Sequence, residues 1–333
     1  MLVPFVIDAD SLAPDPAWLP AHVRTCHEGL IDTWQRIGLL EYDSHDFETS
    51  RLKSAIDKLP QKIRPLWMEM VERLPLRACR NGWNGSVIAS SVGALSNHAS
   101  VALVDDARAE VEFGMSEYDL TIRAANAPDV EVCRLQSASQ AASFKKAIAK
   151  SGAYIEVGDK FSDIWTLRFQ LLAGIPIKRV SIVDRYAMSR HVTCPQTQLS
   201  GLERFLRLLD ADACGPRHVT LYSGWTEELK GRLLPDVEEE IRQLLGKLPR
   251  KKVGRIKVVM LPNSTFSGVS HDRFVRFENY VWEIGIGLRV FEGAFASERS
   301  TATFKTGEVV TGFKRVEDEL RAHAAAKEAV ITT

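Results

Sequence analysis

Short apolar runs alternate with amphipathic stretches along the whole chain, and they fall into two separate sets. Pro4–Ile7, Ser100–Val104 and Val130–Leu135 read as strands of the first set, and Arg179–Val183, His218–Ser223 and Arg255–Leu261 as strands of the second. Between them apolar residues recur at helical spacing: Ile63, Leu66, Trp67, Met70 and Val71 in one stretch, Leu202, Phe205, Leu206 and Leu209 in another, and Val237, Ile241, Leu244 and Leu245 in a third. Strands that alternate with helices must bury their sheet under those helices, so the fold class is α/β, with two domains that each own a sheet. The 333 residues, 45% hydrophobic and 26% charged, suffice for two ordinary cores. The expected division is residues 1–150, a connector over 151–176, a second domain over 177–312, and a C-terminal helix and tail over 313–333.

Acids end several first-half strands. Pro4–Ile7 delivers Asp8 and Asp10 to its C-terminal end, and Ser100–Val104 delivers Asp105 and Asp106. Open α/β sheets gather ligands at that edge, and hard divalent cations want clustered carboxylates. The competing assignment is that these acids cap the turns and helices that follow. Helices are expected over 17–37, interrupted near Gly29, over 46–59 and over 62–74, and the small-residue run from Asn84 to Ala94 also reads as a helix.

This order resembles the PIN-like nuclease fold, a three-layer α/β domain whose strand-end carboxylates bind Mg2+ or Mn2+ and activate water for phosphodiester hydrolysis. On that resemblance Asp8 matches the first-strand acid, Asp105 or Asp106 the last, and Glu41 or Glu48 the helix-borne glutamate. Asn84 stands where the family carries Asp at a helix start. One negative charge is therefore missing from the cluster, and two-metal hydrolysis is in doubt.

In the second half, His271, Arg273 and Glu278 keep the spacing H-x-R-x4-E ahead of a glycine-punctuated apolar hairpin that runs to Gly293. One cationic and one carboxylate substitution separate it from the H-x-K-x4-D motif of phospholipase D-like proteins. The order strand, helix, strand, helix, strand, hairpin over residues 176–310 resembles the degenerate phospholipase D-like domain at the C-terminus of MIT-domain proteins, also found in bacterial conflict and antiviral defence proteins. The resemblance implies binding rather than cleavage, because the chain shows a single motif copy and phosphohistidine chemistry needs two facing histidines. Arg273 and His271 would hold a phosphate, with Asp184 and Tyr186 emerging at the same sheet edge. The plain structural alternative is that Arg273 pairs with Glu278 or Glu292 in a polar turn.

The formal net charge of +0 gives no global attraction to nucleic acid, so such binding must come from local patches such as Lys247–Lys257. Cys26, Cys79, Cys133, Cys194 and Cys214 are widely spaced without a C-x2-C pair, so neither a zinc ribbon nor a disulfide framework is expected, and a reducing cytoplasm is the expected home. No stretch reads as a membrane span. Together these expectations describe a metal-dependent nuclease of a bacterial defence or toxin system tethered to a binding module. Its partners would be RNA or DNA, another protein of the same system, or a second copy of the chain. The alternatives are a catalytically inactive adaptor and a phosphodiesterase assembled across a dimer.

Overall fold

The computed structural model describes residues 1–13, 18–79, 82–269 and 273–332. It divides into two compact units, residues 2–150 and 151–333, each with its own sheet.

The first unit is built on β1 (Val3–Ile7), β2 (Gly38–Tyr42), β3 (Arg77–Ala78), β4 (Val101–Val104), β5 (Thr121–Ala124) and β6 (Ala127–Arg134). Their order is β3-β2-β1-β4-β6-β5, parallel throughout except for the antiparallel edge strand β5. Four helices connect them, α1 (Pro20–Ile37), α2 (Arg51–Asp57), α3 (Arg64–Arg73) and α4 (Asp106–Phe113), and α5 (Ala142–Lys150) follows the last strand. Strand alternation divides the core between two faces. Phe5 packs edge-on against Trp34 of α1 and Phe144 of α5, while Val6 joins Trp83, Val87, Leu95, Ala109 and Val132 on the opposite face. The sheet order reverses between β1 and β4, so their C-terminal ends flank the crevice where open α/β sheets bind ligands.

The second unit holds β7 (Arg179–Val183), β8 (Arg217–Trp225), β9 (Val253–Pro262), β10 (Phe274–Phe277), β11 (Tyr280–Ile284), β12 (Ala302–Thr306) and β13 (Lys327–Thr332), in the order β12-β11-β10-β7-β8-β9-β13. The central β7, β8 and β9 are parallel, and the flanking strands are antiparallel. Its helices are α6 (Phe161–Arg168), α7 (Gln170–Gly174), α8 (Ala187–Thr193), α9 (Gly201–Asp212), α10 (Leu234–Gly246), α11 (Asn263–Val269) and α12 (Val309–Ala322). Phe313 and Leu320 of α12 pack with Phe266, Phe274 and Val183 on one face. Trp165, Phe169, Phe205 and Phe291 form an aromatic cluster that reaches Trp282. Arg276 of β10 pairs with buried Glu317 of α12 at 2.6 Å, and Ser181 donates to the same carboxylate at 2.9 Å.

Four local expectations differ from the structure. The Asn84–Ala94 run is not an α-helix: Gly85 takes φ +83, its added Cβ would lie 2.9 Å from the Asp43 carboxyl carbon, and the chain becomes helical only over Val92–Leu95, as a 3-10 segment. α1 runs unbroken past Gly29. The segment 151–176 does not stand apart, because Ile155 bridges Ser300, Lys160 bridges Phe295, and α6 and α7 lie within it. After Ala322 the chain leaves the helix and returns as β13, whose alternating burial places Ala329 and Ile331 inward.

Candidate functional site

At the C-terminal end of β1, Asp8 is fully buried. Its Oδ1 accepts the N–H groups of Asp10 (3.0 Å) and Ser11 (3.1 Å) and the Ser11 hydroxyl (3.2 Å). Its Oδ2 accepts the Val87 N–H at 2.6 Å and faces the Arg108 guanidinium at 3.0 Å. Burial holds this carboxyl above its ordinary range, against the pull of the Val87 N–H and Arg108. Asp105, at the end of neighbouring β4, caps α4 by accepting the Arg108 N–H at 2.7 Å. Asp106 pairs with Arg134 at 2.7 Å and accepts from Gln136 at 2.9 Å. Asp10 is gripped by Arg51 through two bonds of 2.8 and 2.9 Å and touched by Arg108 at 3.3 Å.

The structure thus brings Asp8 and Asp105 to adjacent strand ends, and Arg108 follows Asp105 by three residues to fill the gap beside Asp8. A carboxylate offers about four lone-pair positions, and Asp8 already serves five donors. The donor set therefore does not fit a Mg2+ or Mn2+ ion, which would need open carboxylate oxygens. Asn84 lies in the loop that straps this end: its carbonyl accepts from Arg51 at 3.2 Å, its side chain accepts the Ser86 N–H at 3.1 Å, and Gly85 accepts the Ala9 N–H at 3.1 Å. It starts no helix. Glu48 is exposed and lies 3.7 Å from Lys53, with no contact to Asp8 among the described residues. Glu41 is buried on β2 and pairs with Arg77 rather than with Asp8. Sequence reasoning missed the neutralising arginines Arg51, Arg108 and Arg134. Acid and base counts of 43 each were the available signal, since equal numbers leave few acids unpaired. A cavity of about 260 Å³ opens beside this end, lined by Trp18, Cys26, His27, Leu30, Asp105 and Asp106.

In the second unit, Asp184 follows β7 and is also buried. Its Oδ1 accepts the Tyr186 N–H at 3.0 Å and its Oδ2 the Leu288 N–H at 2.9 Å. Burial raises this carboxyl too, opposed first by those two N–H groups and then by Arg273 and Arg190. Gly287 makes the arrangement possible, because at φ +63 its added Cβ would sit 2.2 Å from Asp184 Oδ2 and 2.8 Å from Arg273 Cδ. Phe274 pairs with Val183, so Arg273 meets Asp184 across the strands, with Nε 3.9 Å from Oδ1, and also donates to the Gly285 carbonyl.

Around the Tyr186 ring stand three guanidinium groups, those of Arg185 at 4.5 Å, Arg273 at 5.2 Å and Arg190 at 5.6 Å. Arg190 reaches Glu292 at 3.7 Å, and burial raises the Glu292 carboxyl. Arg185 has no carboxylate partner among the described residues. Asp184, Tyr186 and Arg273 therefore converge. Glu278 does not: β10 ends at Phe277, so Glu278 turns at the far end with φ +49 and accepts the Lys178 N–H at 2.9 Å. Four strand residues separate it from Arg273, enough to carry it to the opposite sheet edge. His271 lies outside the described residues.

No family model matches this chain, and no curated protein matches it. Among solved structures, one described as "Structure of TrmBL2, an archaeal chromatin protein, shows a novel mode of DNA binding" is similar at 13% identity, covering 51% of this chain and 52% of that one with a TM-score of 0.27. A likeness of that size carries no argument about this chain. No described helix is long and apolar enough to cross a membrane.

Proposed function

We propose that this protein is a non-hydrolytic adaptor whose second unit binds a phosphate-bearing partner through Arg185, Arg190 and Arg273 around Tyr186. The observation that carries it is the unequal commitment of arginines. Those beside Asp8 are spent on carboxylates at hydrogen-bond distance, whereas those at Tyr186 keep their charge loosely compensated, with ion pairs of 3.7 and 3.9 Å and one arginine unpaired among the described residues. Guanidinium edges in that state suit a phosphate, which accepts paired N–H donors. The partner is a nucleic acid or a phosphorylated protein of a bacterial defence complex, the setting that its resemblance to degenerate phospholipase D-like domains implies.

A second interpretation, a metal-dependent nuclease, draws on one observation: Asp8 and Asp105 stand at the ends of adjacent parallel strands where the sheet order reverses. One experiment separates the two. The full chain is mixed with labelled single-stranded RNA and DNA in Mg2+ or Mn2+, and binding and cleavage are read together. The adaptor requires saltable binding without cleavage, lost in Arg190→Ala/Arg273→Ala. Metal-dependent cleavage lost in Asp8→Ala would establish the nuclease instead. If neither oligonucleotide binds, inorganic pyrophosphate is the next probe, and failure to bind that as well removes the phosphate site.

A further inference from the structure

Glu41 sits within β2, wholly buried and level with Val6 of β1. A buried carboxylate needs partners for both oxygens. Its Oε1 accepts Arg77 Nε at 2.8 Å and a second, shorter bond from the same guanidinium, but its Oε2 has no hydrogen-bond partner. Among the buried polar atoms of the described residues without a hydrogen-bond partner, it is the carboxylate oxygen, the one suited to a cation.

Two soft or borderline donors stand beside this carboxylate. Cys79, buried just past β3, is held beside β2 by its N–H bond to the Tyr42 carbonyl at 2.8 Å. His98, half-buried ahead of β4, has its carbonyl tied to Arg77 at 3.2 Å. One ligand atom from each of Glu41, Cys79 and His98 lies within 4.8 Å of the other two. We infer that Glu41, Cys79 and His98 form a binding site for a borderline-soft divalent transition metal, Zn2+ by preference, with the fourth position left to water or a ligand.

The donor set decides the metal class. Thiolate and imidazole select Zn2+ or its neighbours over Mg2+ and Ca2+, which want oxygen alone. Zn2+ bonds of about 2.0–2.3 Å would draw the ligand atoms to roughly 3.5 Å from one another. His98, the most exposed of the three, can make that closure. Arg77 then acts as the partner that orients the ligating carboxylate, holding Oε1 so that Oε2 faces the ion. Binding sends the Cys79 thiol proton to solvent and takes His98 as neutral imidazole. The site is independent of the phosphate proposal, since its residues belong to the first unit and Tyr186 and its arginines to the second.

Cobalt substitution tests it on the full chain. After dialysis against chelator, one equivalent of Co2+ should produce a thiolate-to-cobalt charge-transfer band and visible bands of tetrahedral strength, and one equivalent of Zn2+ should abolish both. Cys79→Ser should lose the charge-transfer band. His98→Ala should weaken Zn2+ binding by more than ~100-fold, beyond the ~10–100-fold typical of partners outside the ligand set. An Asp106→Asn control should bind normally. Absence of the band in the wild-type chain, or its persistence in Cys79→Ser, overturns the assignment. Should Cys79→Ser not fold, the wild-type spectrum and His98→Ala still decide.

Discussion

Asp8 and Asp184 occupy equivalent places in the two units, each buried just past the first parallel strand, yet their surroundings have opposite electrostatic outcomes. Asp8 is closed by four hydrogen-bond donors and a 3.0 Å arginine. Asp184 holds two backbone N–H groups and an arginine at 3.9 Å. Each carboxyl is raised by burial. The difference lies in how the arginines are held: in the first unit they sit on carboxylates at hydrogen-bond distance, and in the second their ion pairs are 3.7 and 3.9 Å long, which is the ground of the anion-site proposal. The strand end that a topology marks as a ligand site is thus not by itself a site. Saturation of its polar groups decides.

The largest expected effect comes from Asp8→Ala. It strands the Val87, Ser11 and Asp10 N–H groups and leaves Arg108 with the Ser86 hydroxyl and the exposed carboxylate of Asp10, so the loss of stability should be on the order of 3–5 kcal/mol. Urea unfolding of the full chain followed by tryptophan fluorescence reads it. If Asp8 were instead one of several repelling carboxylates waiting for a metal, its removal would leave stability unchanged or raise it, and the contrast between the two strand ends would collapse.

Gly287→Ala probes the other end. The new Cβ would overlap Asp184 Oδ2 at 2.2 Å in a backbone with φ +63. A loss of about 2–3 kcal/mol is expected from strain and displacement together, along with loss of sulfate binding by calorimetry. A stable variant with wild-type sulfate affinity would show that the Asp184–Arg273 contact does not shape the anion site.

The frame of both units was legible because their strands are short apolar runs bounded by turn residues, and because Asp8, Asp105 and Asp184 follow those strands directly. What escaped depends on tertiary hydrogen bonds. The Asn84–Ala94 run has helix-like composition, but its Val87 N–H is drawn to Asp8, a partner remote in sequence, and Gly85 must take φ +83 to pass Asp43. β2 follows α1 at Gly38 with no intervening loop, so nothing local announces the change of period. Glu278 was misplaced because the motif spacing measures residues, and four strand residues carry it from one sheet edge to the other. β13 looked helical after the Ala-rich stretch, yet Lys327–Thr332 pairs along β9, with Val330 facing outward and Ile331 inward. None of the arginines that neutralise the first strand end sits in a recognisable spacing to its acid: Arg108 pairs with Asp8 and Asp10, Arg51 with Asp10, and Arg134 with Asp106.

Arg273→Ala sharpens the comparison at smaller scale. Asp184 retains its two backbone donors, and its ion pair with Arg273 is long, so the stability cost should stay near ~1 kcal/mol. The rise in melting temperature that sulfate or pyrophosphate gives the wild type should disappear. A cost as large as that of Asp8→Ala would mean that Arg273 is committed to Asp184 as firmly as Arg108 is to Asp8, leaving no charge for a partner.

The smallest effect is in pH, and its sign follows from Asp184 and Glu292. Burial raises both above their ordinary values of 3.8 and 4.5. A raised carboxyl is protonated more readily in the fold than in the unfolded chain, so the stability it contributes is present at low pH and is lost as pH climbs through the folded value. The same protonation removes negative charge beside Arg273, Arg190 and Arg289 while leaving the guanidinium groups charged. Sulfate is the suitable probe because its own charge stays constant over this window. Its affinity should rise about two- to five-fold as pH falls from neutral toward the ordinary carboxylate range, and Asp184→Asn should flatten the profile at the high-affinity end. An affinity that falls with acid, or a slope unaltered by Asp184→Asn, would place the bound anion away from this carboxylate and detach the arginines at Tyr186 from the strand end that the two units share.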